Sequence, residues 1–235
     1  MERAHFELVL GQARIVGSFG GLDDLRNAAP REVALACDLV EIRLDLLKSG
    51  DLPIDSALWQ HLAGSPLLFT ARRNDEGGAG DLDPSQRMDL LAAVKDSAAL
   101  IDIEVASIGE MGAFLENLEV PWIASYHDFE KLPDHGVLAE AAARAKDAGA
   151  AAFKVAARLH STSDISRLAD FQLADHGIPV STMGMGPLAP VSRLLCAQCG
   201  SVLNYGYIGC TPTAPGQWDA AFLKQAVARL ARIPT

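Results

Sequence analysis

Short apolar runs recur along the chain at 14–18, 38–44, 66–71, 99–105, 121–126, 151–156, 178–183 and 201–205. They start about 22 to 33 residues apart and are mostly continuous rather than alternating, the pattern of strands covered on both faces. Helical spacing fills the intervals. Asp83-Pro84-Ser85-Gln86 reads as a helix start with Pro at the first position and Gln at the third, and 139–148 is a helix that stops on Gly149. Ser161-x-x-Asp164 resembles a second capping box, and 218–231 carries apolar residues at helical spacing ahead of Pro234. Eight such units predict a (β/α)8 barrel occupying 1–235 as a single domain, with a doubly wound open sheet as the alternative.

Composition narrows the class without changing the fold. The 235 residues are 49% hydrophobic and 21% charged, which excludes disordered and fibrous chains. Twenty Lys and Arg against thirty Asp and Glu leave a charge of −10, with no basic tract for nucleic acid or an anionic membrane. The start, Met-Glu-Arg-Ala-His, lacks the basic and apolar regions of a leader, so a cytoplasmic protein is expected. Cys37, Cys196, Cys199 and Cys210 are too few for a disulfide scaffold. The one Cys-x-x-Cys falls in a helical segment with no second pair, so no metal is expected.

A barrel of this kind builds its site at the C-terminal strand ends. Alternation along 151–156 puts Lys154 on the inner face between Ala152 and Ala156, with Phe153 and Val155 outside. Burial lowers an amine's pKa, and a neutral amine condenses with a carbonyl; pairing with an interior carboxylate is the competing reading. His127, one unit earlier and also inward, is a candidate acid and base. A carboxylate in Thr70 to Gly78 is placed to orient it and raise its basicity. Strand two ends in Glu41-Ile42-Arg43-Leu44-Asp45, with three charges on one face, either an ion-pair network or a grip on a polar substrate. Asp102 and Glu104 repeat that pattern and read as structural. Arg193 offers a fork for a carboxylate or phosphate, and 209–217 reads as a loop able to close over a ligand.

In order and spacing, Glu41 to Asp45, Phe69-Thr70-Ala71-Arg72, Glu76-Gly77-Gly78, Ser125 to Phe129 and Phe153-Lys154-Val155-Ala156 resemble the type I 3-dehydroquinate dehydratase family. Met183-x-Met185-Gly186, Ser192-Arg193 and Ala214-Pro215-Gly216-Gln217 continue the likeness across nearly the whole chain. The resemblance implies that Lys154 forms a Schiff base with 3-dehydroquinate, that His127 is the acid and base, and that Glu76 orients it. It implies that Arg193 meets the substrate carboxylate, and that Glu41, Arg43, Arg72, Thr213 and Gln217 meet its hydroxyls and carboxylate. Met183, Met185 and Phe129 would line the pocket, and Ser18 would face the substrate. No cofactor is implied; a homodimer is.

This sequence departs from the family pattern in places. Thr213 stands where serine is usual, Ala189 where glycine is usual, and a hairpin that often plugs the barrel bottom is reduced to 6–11 or missing. Two other readings remain at this stage: a class I aldolase or transaldolase, which shares the interior lysine, and a barrel that only binds a ligand.

Overall fold

The computed structural model describes residues 4–48 and 54–230. Eight parallel strands form one sheet: β1 (Arg14–Phe19), β2 (Leu39–Arg43), β3 (Leu67–Thr70), β4 (Leu100–Glu104), β5 (Trp122–Asp128), β6 (Ala152–Arg158), β7 (Val180–Met185) and β8 (Leu203–Ile208). Each predicted run overlaps one of them, though β1, β5, β6, β7 and β8 continue one to three residues past the run's end. In the order β7-β6-β5-β4-β3-β2-β1-β8, β8 lies against β1 over six residue pairs, and contacts between the end strands β7 and β8 make the sheet the expected (β/α)8 barrel, nearly closed. The open-sheet alternative is thereby excluded.

The β7–β8 seam differs from the other junctions. Val202 N–H donates to Val180 O at 3.2 Å. The Ser181 hydroxyl donates to Leu203 O at 2.9 Å and accepts from Leu203 N at 2.6 Å. Ser201 Oγ also donates to Leu203 O, so hydroxyls stand where a backbone ladder would run.

Alternation sorts the core into two parts. Outward residues such as Ile42, Phe69, Ile101, Phe153 and Val155 pack beneath the helices. Inward residues such as Leu39, Leu68, Leu100 and Ile123 form an apolar plug inside the barrel. The 6–11 segment contains no strand, so the hairpin is absent there; Phe6 and Leu8 still pack on the inner cluster.

Both predicted capping boxes exist, Asp83 with Gln86 on helix Pro84–Val94 and Ser161 with Asp164 on helix Thr162–Leu173. The helix expected over 139–148 starts earlier, at His135, because Asp134 turns the chain in and Ala141, Ala142 and Ala145 bury one face. Gly149 follows its end at φ 81°. The last helix is shorter than 218–231, running Ala220–Ala228 with the Asp219 side chain accepting from Phe222 N. No helix among the described residues is long and apolar enough to cross a membrane.

Candidate active site

Above the apolar plug the inward positions turn polar. β2 brings in Glu41 and Arg43, β4 Asp102 and Glu104, β5 Ser125 and His127, and β6 Lys154. In the β5–β6 register Ser125 stands opposite Lys154 and His127 opposite Ala156, so the imidazole sits one pleat above the amine on the neighbouring strand. The small Ala152 and Ala156 beside Lys154 leave that space open.

Lys154 is 4% exposed, and its Nζ donates to Asp102 Oδ2 at 2.9 Å and lies 4.2 Å from the Tyr205 ring centroid. Burial lowers its pKa; Asp102 opposes this and Arg72 reinforces it. Asp102 also receives Arg72 Nη1 and Nη2 at 3.1 and 3.0 Å, and these cations hold its carboxyl below the usual range in spite of burial. Arg72 reaches Glu104 at 3.0 Å and Ser125 Oγ at 2.6 Å. Burial disfavours its charge, but Asp102 and Glu104 outweigh that and raise its pKa. Asp102 is therefore the interior carboxylate of the competing reading of Lys154, held in a buried ion-pair network with Arg72. Glu104 keeps its structural reading: it accepts from Arg87 and Arg73 N as well as Arg72.

Glu76 Oε2 accepts from both the backbone N–H and the Nδ1 of His127, each at 2.9 Å. This leaves Nε2 as the ring nitrogen available to the cavity. The expectation that a carboxylate would raise the basicity of His127 is not met. Burial, then Arg72 and Lys154, lower its pKa well below 6.5, and burial pushes Glu76 up to about 7. Glu76 fixes the ring's orientation while the imidazole stays neutral.

The turn carrying Glu76 is tied down from β2. Arg43 grips Asp45 through Nε and Nη2 at 2.9 and 2.6 Å and donates to Gly77 O at 3.1 Å, while Asp45 accepts from Ala79 N at 3.0 Å. Gly77 has φ 83°, and a Cβ there would stand 2.5 Å from Phe129 Cζ, so a side chain would displace the ring that roofs the site. Glu41 accepts from Thr70 Oγ1 at 2.9 Å and from Ser18 Oγ.

Arg193, on helix Ala189–Gln198, is 1% exposed. Its Nη1 donates to Tyr205 O at 2.7 Å, and among the described residues its Nε has no partner and no carboxylate pairs with it. Burial lowers its pKa to about 10, which leaves a guanidinium at neutral pH. A buried cation without a counter-charge is costly, and an anion in the cavity would supply one.

The loop after β8 covers the mouth. Thr213 N and Oγ1 donate to Gln217 Oε1 at 2.9 and 2.8 Å, and Gly186 N–H donates to Pro215 O at 3.0 Å. The cavity at this end of the barrel is about 50 Å³. Lys154, His127, Glu76, Glu41, Arg43 and Arg72 line it, as do Arg193, Met183, Met185, Phe129, Thr213 and Gln217, with Tyr205, Ala156, Gly77 and Ala214 completing the wall. Of the residues expected at the site, Ser18 alone is not in that wall: it sits behind Glu41, fully buried, and holds its carboxylate. A second cavity of about 640 Å³ lies at the opposite, N-terminal face of the barrel; its one amine, Lys224, is already paired with Asp38 at 2.9 Å.

Asp102 and Tyr205 are the contacts of Lys154 that residue-level reading passed over. For Asp102 the repeated charges of its strand suggested a structural pair; Tyr205 was not singled out, although alternation along 201–205 could have marked it. Cys196 and Cys199 sit at the end of a helix with thiols raised by burial, Cys196 to about 11, the opposite of thiolate activation.

The sequence profile described as type I 3-dehydroquinase matches residues 19–233. A protein named 3-dehydroquinate dehydratase from Methanothrix thermoacetophila is 33% identical over 213 residues, covering 91% of this chain and 90% of its own. One of the same name from Methanocella arvoryzae is 32% identical over 208 residues, covering 87% and 90%. Among solved structures, the 3-dehydroquinate dehydratase of Geobacillus kaustophilus HTA426 superposes with a TM-score of 0.79 at 26% identity, covering 92% of this chain and 90% of that one. With a lysine, a histidine and an unneutralised arginine in one cavity and a family match over most of its length, the chain belongs to the type I 3-dehydroquinase family.

Proposed function

We propose that this protein dehydrates 3-dehydroquinate to 3-dehydroshikimate by syn elimination through a Schiff base on Lys154. The observation that carries the reading is the pair on β5 and β6: an amine whose pKa is lowered by burial, with a neutral, carboxylate-oriented imidazole one pleat above it. Lys154 in its neutral form adds to the C3 carbonyl, and loss of water gives a cationic iminium next to C2. His127 Nε2 takes a proton from C2, and the C–H electron pair moves into the iminium to give an enamine. The enamine pushes out the C1 hydroxyl, which leaves as water with the proton held by His127. Hydrolysis of the conjugated iminium frees the product and the lysine. These steps call for no metal, nucleotide or other cofactor.

Arg193 is the partner of the substrate carboxylate in this reading, since it is the buried cation without a counter-charge. Glu41, Arg43, Arg72, Thr213 and Gln217 then face the ring hydroxyls and the carboxylate, with Met183, Met185 and Phe129 around the ring. The relatives' names support a place in the shikimate pathway, as the third step toward aromatic amino acids. We further propose that the chain acts in the cytoplasm as a homodimer, as the family resemblance implies.

The test is intact mass after mixing with 3-dehydroquinate and borohydride, followed by peptide mapping. A reduced adduct on Lys154, absent from Lys154→Ala, is the expected result. A folded protein that gains no mass, or an adduct on another residue, overturns the assignment.

A further inference from the structure

Tyr205 projects from β8 into the same cavity as Lys154, His127 and Arg193. It touches two of them: its ring centroid is 4.2 Å from Lys154 Nζ, and its backbone oxygen accepts from Arg193 Nη1 at 2.7 Å. The side chain is 4% exposed, yet its hydroxyl has no hydrogen-bond partner among the described residues. Buried hydroxyls are rarely left this way, because losing water's hydrogen bonds without replacement destabilises the fold. Phenylalanine would fill the same volume without that cost. A lone phenol beside a reactive amine marks a group whose partner arrives with the ligand.

We propose that the Tyr205 hydroxyl contacts the substrate, donating a hydrogen bond to the carbonyl oxygen as Lys154 adds to its carbon. The inference rests on the Schiff-base reading above and extends it to the first step. In that step the amine lone pair forms the N–C bond and the C=O π pair moves onto oxygen. The proton shed by nitrogen ends on that oxygen, giving a carbinolamine, from which water then departs. Tyr205 keeps its own proton throughout and stabilises the charge that builds on oxygen. It is suited to this because burial, with Asp102 and Glu41 nearby, raises its pKa and holds it as a neutral donor. The ring has a separate role, presenting its π face to the ammonium and later to the iminium.

Tyr205→Phe isolates the hydroxyl, since it keeps the ring and deletes an atom without a protein partner. Rapid mixing with 3-dehydroquinate and a borohydride quench at set times gives the rate at which the Lys154 adduct forms. The expected result is adduct formation slowed by about a hundredfold, the scale for one lost donor at a developing oxyanion. The melting temperature should be unchanged or higher, and the pH at which the amine becomes competent should not move. Equal adduct rates in wild type and variant overturn the Tyr205 assignment alone, as does a slowed rate that comes with a markedly lower melting temperature. A wild-type protein that never forms the adduct removes the Schiff-base reading and the hydroxyl's role together.

Discussion

Lys154 and Asp102 meet at 2.9 Å across an intervening strand, the amine on β6 and the carboxylate on β4, with Ser125 of β5 donating to the same carboxylate at 2.5 Å. The contact gives the lysine a counter-charge, and in the proposed Schiff-base route it would do so for the ammonium and for the iminium alike. Asp102→Asn removes that charge and leaves Arg72 with Glu104 as its remaining carboxylate. Breaking a buried pair this way costs roughly 3–5 kcal/mol of stability, read by denaturant unfolding. The amine's pKa falls further, so the rising limb of kcat/KM should move to lower pH while the yield of trapped adduct drops.

Glu76 and His127 give a second pH dependence. Ionised Glu76 accepts Nδ1–H and leaves Nε2 with its lone pair toward the cavity, so the base-competent form increases as pH rises through about 7. Glu76→Gln presents an acceptor oxygen at every pH, and the limb near 7 should flatten in its kcat/KM profile. Stability should move the other way. The folded pKa of Glu76 is raised from 4.5 to about 7, so its contribution is complete below about pH 4.5 and is lost as pH rises to 7. Wild type should lose roughly 3 kcal/mol relative to Glu76→Gln across that window, measured by unfolding at several pH values.

Arg193 separates affinity from stability. Its guanidinium is buried without a carboxylate, so Arg193→Leu removes an uncompensated charge and should leave the melting temperature level or raised. A charge-assisted hydrogen bond contributes about 1.5–3 kcal/mol, so KM for a carboxylate substrate should rise by about ten- to a hundredfold. An unchanged KM would place the carboxylate elsewhere.

The loop over the mouth makes a prediction about access. A cavity of about 50 Å³ is far below the roughly 300 Å³ at which small-molecule sites begin, so a ring-bearing acid fits only where the wall gives way, and the loop is a part of that wall not held in a strand or helix. Gly216 sits at φ 75°, and a Cβ there would stand 2.1 Å from Gly186 O. Gly216→Ala should therefore prevent this closed arrangement at small cost to the barrel. Activity should fall at least tenfold, the melting temperature should hold within a few degrees, and bound substrate should no longer protect 209–217 from proteolysis.

Much of this was readable in the chain because two kinds of signal agree. Strand positions follow from continuous apolar runs, and inward faces from alternation, which is why Lys154, His127 and Glu41 appear where they were expected. What pattern reading does not supply is distance between elements far apart in sequence. Nothing local says that Asp102 rather than Glu104 meets the lysine, or that Ser18 stops behind Glu41. The direction of the His127 shift also escaped, because it depends first on burial and then on two cations, Arg72 and Lys154, brought in from other strands.

The seam beside Ser181 and Ser201 bears on how the chain assembles. β8 forms its ladder with β1, pairing Arg14 with Leu203 and Phe19 with Ile208, nearly the whole chain apart, and has little ladder with its predecessor β7. During synthesis the edge of β1 therefore stays unpaired until the last strand emerges, with the interior charges still open to water. Contacts of such long separation form slowly. Pairing β8 with β1 is therefore the step of assembly that closes the widest separation in sequence within the sheet.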